Sequence, residues 1–373
     1  MKILHLADFH IKLSGPRAGE ARRILDHIAD HAGEIKPNVI ALAGDLFDAR
    51  STPEERLFLA DILRRLAVVA PVYAIHGNHD NPDDVSLFNL VRDAHVITEP
   101  GVKVVEGVRF AFLPWPKLGN LAATVGPKAS IAERREIAKA ALIDILRGFR
   151  GEINPGEASV VLTHMSISGA AMDSGQPVSA SDEMSLSADE FFESGAAGIL
   201  CGHIHLRQQM RSGDGRPVWY AGAPFRTTFG ESTGAKGGLV WDWIDGAWRV
   251  TPWDAPARPM VLLEGKWIDG QLVGLEHGPL DDAEVRLRIE FPSDERGAAR
   301  IQAEELKKAL EAEGAHSVTI DERPVIVTRS RCVEITAART TTEKLKAWAQ
   351  SAGSEVPEDA EAKLQVLEAG VSS

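Results

Sequence analysis

Apolar runs of strand length alternate with amphipathic stretches of helical length along the first part of the chain: KILHLA, GEARRILDHIADHAGEI, VIALAG, PEERLFLADILRRLA and VYAIHG. A run that is apolar at nearly every position has no face to give to water, so strands of this kind must be covered on both sides, and the amphipathic stretches between them are what covers them. The expected fold is α/β, with β-sheets flanked by helices in layers. Further strands are expected at HVIT, RFAFLPW, SVVLTH, AGILCGHIH and VWYAG, with a helix over about residues 130–148. Between GGLVWDWID and GAWRVTPW no helix intervenes, and Asp245-Gly246 predicts a tight hairpin there.

Two prolines in DAPARP, residues 254–259, separate this pattern from a new one. Beyond them EVRLRIEF, ARIQAEELKKALEAEG and HSVTIDE read as strand, helix and strand, with CVEITAA after them. The expected organisation is a main domain over residues 1–255, a small α+β domain over 258–338 and a helical tail over 339–373. In the tail, Thr340 or Thr341 can cap a helix with Leu345 and Trp348 on one face, and Leu364 and Leu367 have the same spacing in a second. Two other stripes at helical spacing, Leu59, Ile62, Leu63 and Leu66, and Leu87, Leu90, Val91 and Ala94, are expected to pack into the core.

Charge and cysteine content bear on function. With 41 Lys and Arg against 54 Asp and Glu, net charge is −13, which argues against a protein that grips polyphosphate unaided. Such a chain acts on phosphates when bound cations or a partner supply the positive charge. Its two cysteines, Cys201 and Cys332, exclude a disulfide framework and suit a reducing cytoplasm. No segment reaches the ~18–20 apolar residues of a membrane span. The opening MKILHLADFH lacks the features of a signal peptide.

Each short polar cluster in the first 210 residues follows an apolar strand: Asp8 and His10, Asp45 and Asp48, Asn78 and His79, His164, then His203 and His205. Singly, each reads as a turn, a cap or a solvated histidine. Asp-x-His and His-x-His put both side chains on one side of an extended segment, and five such clusters at successive strand ends point to one shared metal site. Oxygen and imidazole donors without thiolate favour Mn, Fe or Zn over a structural cysteine site. The donors outnumber what one ion takes and suit two ions about 3.5–4 Å apart that share a carboxylate. Asp80 is expected to fix the turn, and Cys201 to be buried facing away from the histidines.

In this order, Asp-x-His, Gly-Asp-x-x-Asp, Gly-Asn-His-Asp, His and Gly-His-x-His, the clusters resemble the calcineurin-like metallophosphoesterase superfamily. AIHGNHD, THMSISGA, CGHIH and YAGAPFRTTFGE resemble, within it, the nuclease subunits of SbcCD-type DNA repair complexes, over roughly residues 1–255. The resemblance implies one ion on Asp8, His10, Asp45 and His205, and a second on Asp45, Asn78, His164 and His203, with Asp45 bridging and manganese the usual metal. It implies that His79 faces the scissile phosphate as proton donor, oriented by Asp48. Lys12 stands where glycine is frequent, which leaves the shape of the first loop open.

The function so implied is a manganese-dependent DNA exonuclease and endonuclease. Its implied partners are DNA, a second copy of the chain and an SbcC-type coiled-coil ATPase docked by the C-terminal part. The alternative is a metallophosphodiesterase for a small substrate, a cyclic nucleotide or nucleotide sugar, which has the same metal core and no need of the extra domain. Arg226, in the loop after the last metal motif, is the candidate phosphate contact; Arg17, Arg22, Arg23, Arg134 and Arg135 read as solvated helix faces.

Overall fold

The computed structural model describes residues 1–117, 121, 130–154, 156–172, 185–231, 234–325, 333–354, 356–357, 360 and 362–364. Cys332 and Leu367 therefore lie outside the described residues. In chain order the elements are β1 (Lys2–Leu6), α1 (Ala18–Ile35), β2 (Val39–Ala43), α2 (Pro53–Val69), β3 (Val72–Ile75), α3 (Pro82–Ser86), β4 (Ala94–Ile97), β5 (Gly101–Val105), β6 (Val108–Leu113), α4 (Ile131–Phe149) and β7 (Ser159–Thr163). They continue with β8 (Ser166–Ile167), β9 (Ser185–Leu186), α5 (Ala188–Phe191), β10 (Ile199–Cys201), β11 (Gln208–Met210), β12 (Val218–Tyr220), β13 (Gly237–Ile244) and β14 (Ala247–Asp254). After these come β15 (Met260–Ile268), β16 (Gln271–Val273), β17 (Glu284–Pro292), α6 (Arg296–Ala312), β18 (Ser317–Val325), α7 (Val333–Ala337) and α8 (Thr341–Ser351).

Two six-stranded sheets carry the first unit, in orders β14-β13-β1-β2-β3-β4 and β11-β12-β10-β7-β6-β5. Strands β1 to β4 run parallel, as do β6, β7, β10 and β12. Strand parity explains the layering. Ile3, Val39 and Ala41 of the first sheet share a core with Phe110, Phe112, Val160 and Leu200 of the second, so the sheets pack face to face. The alternate residues Leu4, Leu6, Ile40 and Leu42 meet Ile24, Ile28, Leu59 and Leu63 of α1 and α2. On the far side Ala111, Leu113, Val161 and Cys201 meet Leu142 and Leu146 of α4. The result is the layered α/β architecture expected from the alternation, and each apolar strand is buried because both its faces are covered.

Helix α2 illustrates how local signals agree with packing. Thr52 caps it in a reciprocal capping box with Glu55, Pro53 occupies the first turn, and Leu59, Ile62, Leu63 and Leu66 are all fully buried. Truncating Leu63 to alanine there would cost about 2–5 kcal/mol.

The second stripe is not a helix face. Helix α3 ends at Ser86, a 3₁₀ turn covers Leu87–Leu90, and Ala94 already begins β4. The Asn89 side chain bonds the amide and carbonyl of Val96, which turns the chain into the strand. Val85 and Phe88 point inward, whereas Leu87 and Leu90 are 52% and 87% exposed.

The Asp245-Gly246 hairpin forms with both residues at positive φ, 53° and 80°, the requirement of a type I′ turn. Two further hairpins use the same device. Glu106-Gly107 joins β5 to β6, and Asp269-Gly270 joins β15 to β16.

The chain forms two compact units: Met1–Leu263 with Glu276–Leu287 and Lys307–Thr319, and Glu264–Leu275 with Arg288–Leu306 and Ile320–Ser373. A further sheet of four strands has the order β16-β15-β17-β18. Within the second unit, Arg288 pairs with Glu264 at 2.8 Å and Asp321 at 3.1 Å. Thr340 caps α8 with Glu343 in a capping box. No described helix is long and apolar enough to cross a membrane.

Candidate metal centre

Each of the five polar clusters follows one of the parallel strands β1, β2, β3, β7 and β10, so the layered fold brings them to one rim. The loops are laced by their main chains: the Asp8 amide donates to the Gly44 carbonyl, that of His10 to Asp45 and that of Ile11 to Leu46, each at 3.0 Å. Asp80 clamps two of these loops. Its Oδ2 accepts from the amides of Gly77 at 2.9 Å and Leu46 at 3.1 Å, and its Oδ1 from Phe47 at 3.0 Å. Burial and the Asp45 charge push this carboxyl up to about 6, against the pull of those three amides.

Asp8, His10, Asp45 and His203 all have positive φ, between 41° and 91°. Such backbone costs about 1–3 kcal/mol per residue and persists only where surroundings hold it. Glycine is required beside them: a Cβ on Gly77 would collide with the Asp45 carboxylate, and one on Gly202 with the Ala43 carbonyl.

Asp8, His10 and His205 form one group whose donor atoms lie within 4.8 Å of one another. His10 Nε2 and His205 Nε2 are 2.9 Å apart. Asp8 Oδ1 accepts the His203 amide at 2.9 Å, while Asp8 Oδ2 is buried with no hydrogen-bond partner among the described residues. Burial first, then His205, lower the His10 pKa to about 4.

The second group gathers at Asn78. His164 donates from Nδ1 to the Ala43 carbonyl at 2.6 Å, which leaves Nε2 at 3.0 Å from Asn78 Oδ1 and 3.2 Å from Asp45 Oδ2. His203 Nδ1 lies 3.1 Å from the same Asn78 oxygen. Burial disfavours charge on both His164 and Asp45, but their mutual attraction outweighs it, raising the imidazole and holding the carboxyl well below its usual range. Asp8, Asp45 and His164 also come within 4.8 Å. Asp8 approaches His164 on the Nδ1 edge, at 3.9 Å, which the Ala43 carbonyl already occupies, so we group Asp8 with His10 and His205.

Asp45 joins the two groups: Oδ1 accepts the His79 amide at 3.0 Å, and Oδ2 lies 3.2 Å from His164 Nε2 and 3.5 Å from His10 Nε2. An orphaned buried carboxylate oxygen, facing imidazole nitrogens and an oxygen-nitrogen donor set fit divalent cations.

His79 is exposed at the mouth and donates from Nδ1 to the main-chain carbonyl of Asp48 at 2.7 Å. The Asp48 carboxylate instead meets Lys12 Nζ at 2.8 Å and stands 3.7 Å from His10 Nδ1. Arg226 corrects an expectation. It is 8% exposed and its guanidinium donates to the carbonyls of Glu231, Gly234 and Arg258 at 3.0, 2.6 and 3.1 Å, which makes it a strut of its loop and not a phosphate contact.

Two neighbours of the centre escaped the sequence reading. Trp115 sets its ring 5.2 Å from that of His203 and lines a cavity of about 670 Å³ with His76, Leu113, Leu142 and Ile145. Its only sequence signal was a strand ending in PW. Glu231 lies 3.1 Å from His205 Nδ1, and its signal was the FGE at the end of a segment noted for resemblance alone.

Residues 1–207 match the model of the calcineurin-like phosphoesterase family. The SbcD subunit of the SbcCD nuclease of Bacillus subtilis is 27% identical over 269 residues, 65% of this chain and 66% of that one. The protein of the same name from Staphylococcus epidermidis is 24% identical over 283 residues, 71% of each chain. This chain thus spans about two thirds of the length of these curated relatives. Among solved structures, TT1561 of Thermus thermophilus aligns over 67% of this chain and 98% of its own, with a TM-score of 0.42 and 13% identity.

Proposed function

The chain belongs to the calcineurin-like phosphoesterase family, and from that premise we propose that it is a two-metal DNA nuclease, manganese-dependent, acting as exonuclease and endonuclease within an SbcCD-like assembly. One observation carries the metal part: Asp45 Oδ2 lies between His164 Nε2 at 3.2 Å and His10 Nε2 at 3.5 Å, where a single carboxylate can serve two ligand groups. Asp8, His10, Asp45 and His205 would hold one divalent cation, and Asp45, Asn78, His164 and His203 the other. When bound, such a pair activates water and neutralises the nonbridging phosphate oxygens.

The chain's own residues supply the rest. His79, as imidazolium with its Nδ1–H held by the Asp48 carbonyl, would give its Nε2 proton to the departing alkoxide, a role worth about 10²–10⁴ in rate. Lys12 engages the Asp48 carboxylate beside it.

DNA as substrate is supported by the two relatives named as SbcCD nuclease subunits. With a net charge of −13 the chain needs help to hold DNA, and we take that help to be an SbcC-type coiled-coil ATPase in the cytoplasm. We retain residues 258–338 as a capping module and 339–373 as the docking segment, for which the 57% exposure of Trp348 on α8 is the support. Self-association is supported by an apolar groove of about 450 Å³ lined by Leu57, Ala60, Leu87 and Leu90 among others.

The test is to incubate purified chain and Mn²⁺ with end-labelled DNA beside a small phosphodiester. Turnover of DNA that His79→Ala abolishes supports the reading; efficient turnover of a cyclic nucleotide or nucleotide sugar with none of DNA replaces it with the small-substrate alternative.

A further inference from the structure

The segment YAGAPFRTTFGE wraps the back of His205. Glu231, its last residue, is 3% exposed, and its Oε1 lies 3.1 Å from His205 Nδ1 while also accepting the amide and hydroxyl of Thr227. Its Oε2 pairs with Lys236 Nζ at 2.6 Å, and the same ammonium donates to the His205 carbonyl at 3.1 Å. Gly222, at φ 73°, approaches that carbonyl so closely that a Cβ would come within 2.7 Å of it. Arg226 in turn ties down the Glu231 carbonyl at 3.0 Å. Ring and main chain of one histidine are therefore gripped by a single loop.

A carboxylate that accepts from Nδ1–H keeps the neutral ring's proton on that side and turns the Nε2 lone pair the other way. Here Nε2 points to His10 Nε2, 2.9 Å off, in the group that includes Asp8. We propose that Glu231 is the positioning residue of His205, fixing its tautomer and orientation so that the Asp8, His10 and His205 half of the centre takes its divalent cation, with Lys236 holding Glu231 in place. The proposal rests on the metal-centre reading above. Its rival is that the Glu231–Lys236 pair only staples the loop.

The two differ in what a paired replacement does. Glu231→Leu with Lys236→Met removes both charges together, so no unpaired buried charge remains, and exchanges of this kind are often neutral for stability. Glu231→Gln keeps an oxygen that can accept from Nδ1–H. The measurement is Mn²⁺ titration of the full chain by calorimetry, with thermal unfolding of each variant alongside. We expect wild type to bind two ions, the Leu/Met pair to bind one of them about 10–100-fold more weakly at a nearly unchanged unfolding midpoint, and Glu231→Gln to recover most of the loss. A Leu/Met pair that folds and binds both ions at wild-type affinity overturns the positioning role and leaves the metal centre standing. A Leu/Met pair that fails to fold, together with a Glu231→Gln that binds as weakly as Glu231→Ala, also overturns it. Wild type that binds no Mn²⁺ overturns the metal reading itself and the proposal with it.

Discussion

His79 and Asp48 meet through the backbone: the imidazole Nδ1–H donates to the Asp48 carbonyl at 2.7 Å, while the Asp48 carboxylate is held by Lys12. The consequence separates two substitutions that the sequence alone would pair. His79→Ala should keep its metal yet lose about 10²–10⁴ in the rate of phosphodiester cleavage. Asp48→Ala leaves the carbonyl in place and should show only a small part of that loss. Elemental analysis with single-turnover rates checks both. Metal lost in step with activity would make His79 a ligand.

Asp80 is the clamp between the Gly77 turn and the loop at Leu46 and Phe47, through three amides on one buried carboxylate. Asp80→Asn replaces one acceptor oxygen by a donor and strands at least one of those amides. It should cost about 1–3 kcal/mol in urea unfolding. An unchanged midpoint would show that the clamp contributes nothing.

Glu20 gives a pH dependence with a definite sign. Burial alone would raise its pKa, but Arg23 at 2.8 Å, the Arg258 amide at 2.8 Å and the Arg258 guanidinium at 2.7 Å reverse this and hold it below the ordinary glutamate range. A depressed folded-state pKa contributes stability above the unfolded value, about 4.3, that is lost as pH falls through the folded value. Glu20→Gln should therefore be less stable than wild type at pH ~7, by about 1.5–3 kcal/mol. The gap should close in acid. Urea midpoints that differ equally at both pH values would contradict this.

Leu57 and Leu90 are 74% and 87% exposed beside one apolar groove. If that groove is where two copies meet, Leu90→Glu should convert a dimer to a folded monomer, since the side chain contributes little to its own core. Sedimentation velocity decides it. A wild-type chain that stays monomeric at tens of micromolar would remove self-association from the account.

The layers were legible because both faces of β1, β2 and β3 are covered, and a strand with no wet face leaves a continuous apolar run. The rim was legible because Asp8, Asp45, Asn78, His164 and His203 each follow such a run directly. Periodicity failed at Leu87 and Leu90, since it reports spacing and cannot see the helix stop at Ser86 or the Asn89 side chain turn the chain into β4. The hairpins at Glu106-Gly107 and Asp269-Gly270 carried the right turn residues, but their strands are short or mixed in polarity. Arg226 misled because two of its three acceptors, Gly234 and Arg258, arrive from farther along the chain. Glu231 stayed hidden for the same reason, 26 residues from the histidine it meets.

The central claim is that one carboxylate, Asp45, serves two cations. The direct measurement is Mn²⁺ stoichiometry and affinity in wild type, His10→Ala and Asp45→Ala, each checked for folding. The account predicts two ions in wild type, one weakened in His10→Ala, and both weakened in Asp45→Ala with cleavage abolished. Two ions retained at wild-type affinity in Asp45→Ala would contradict it.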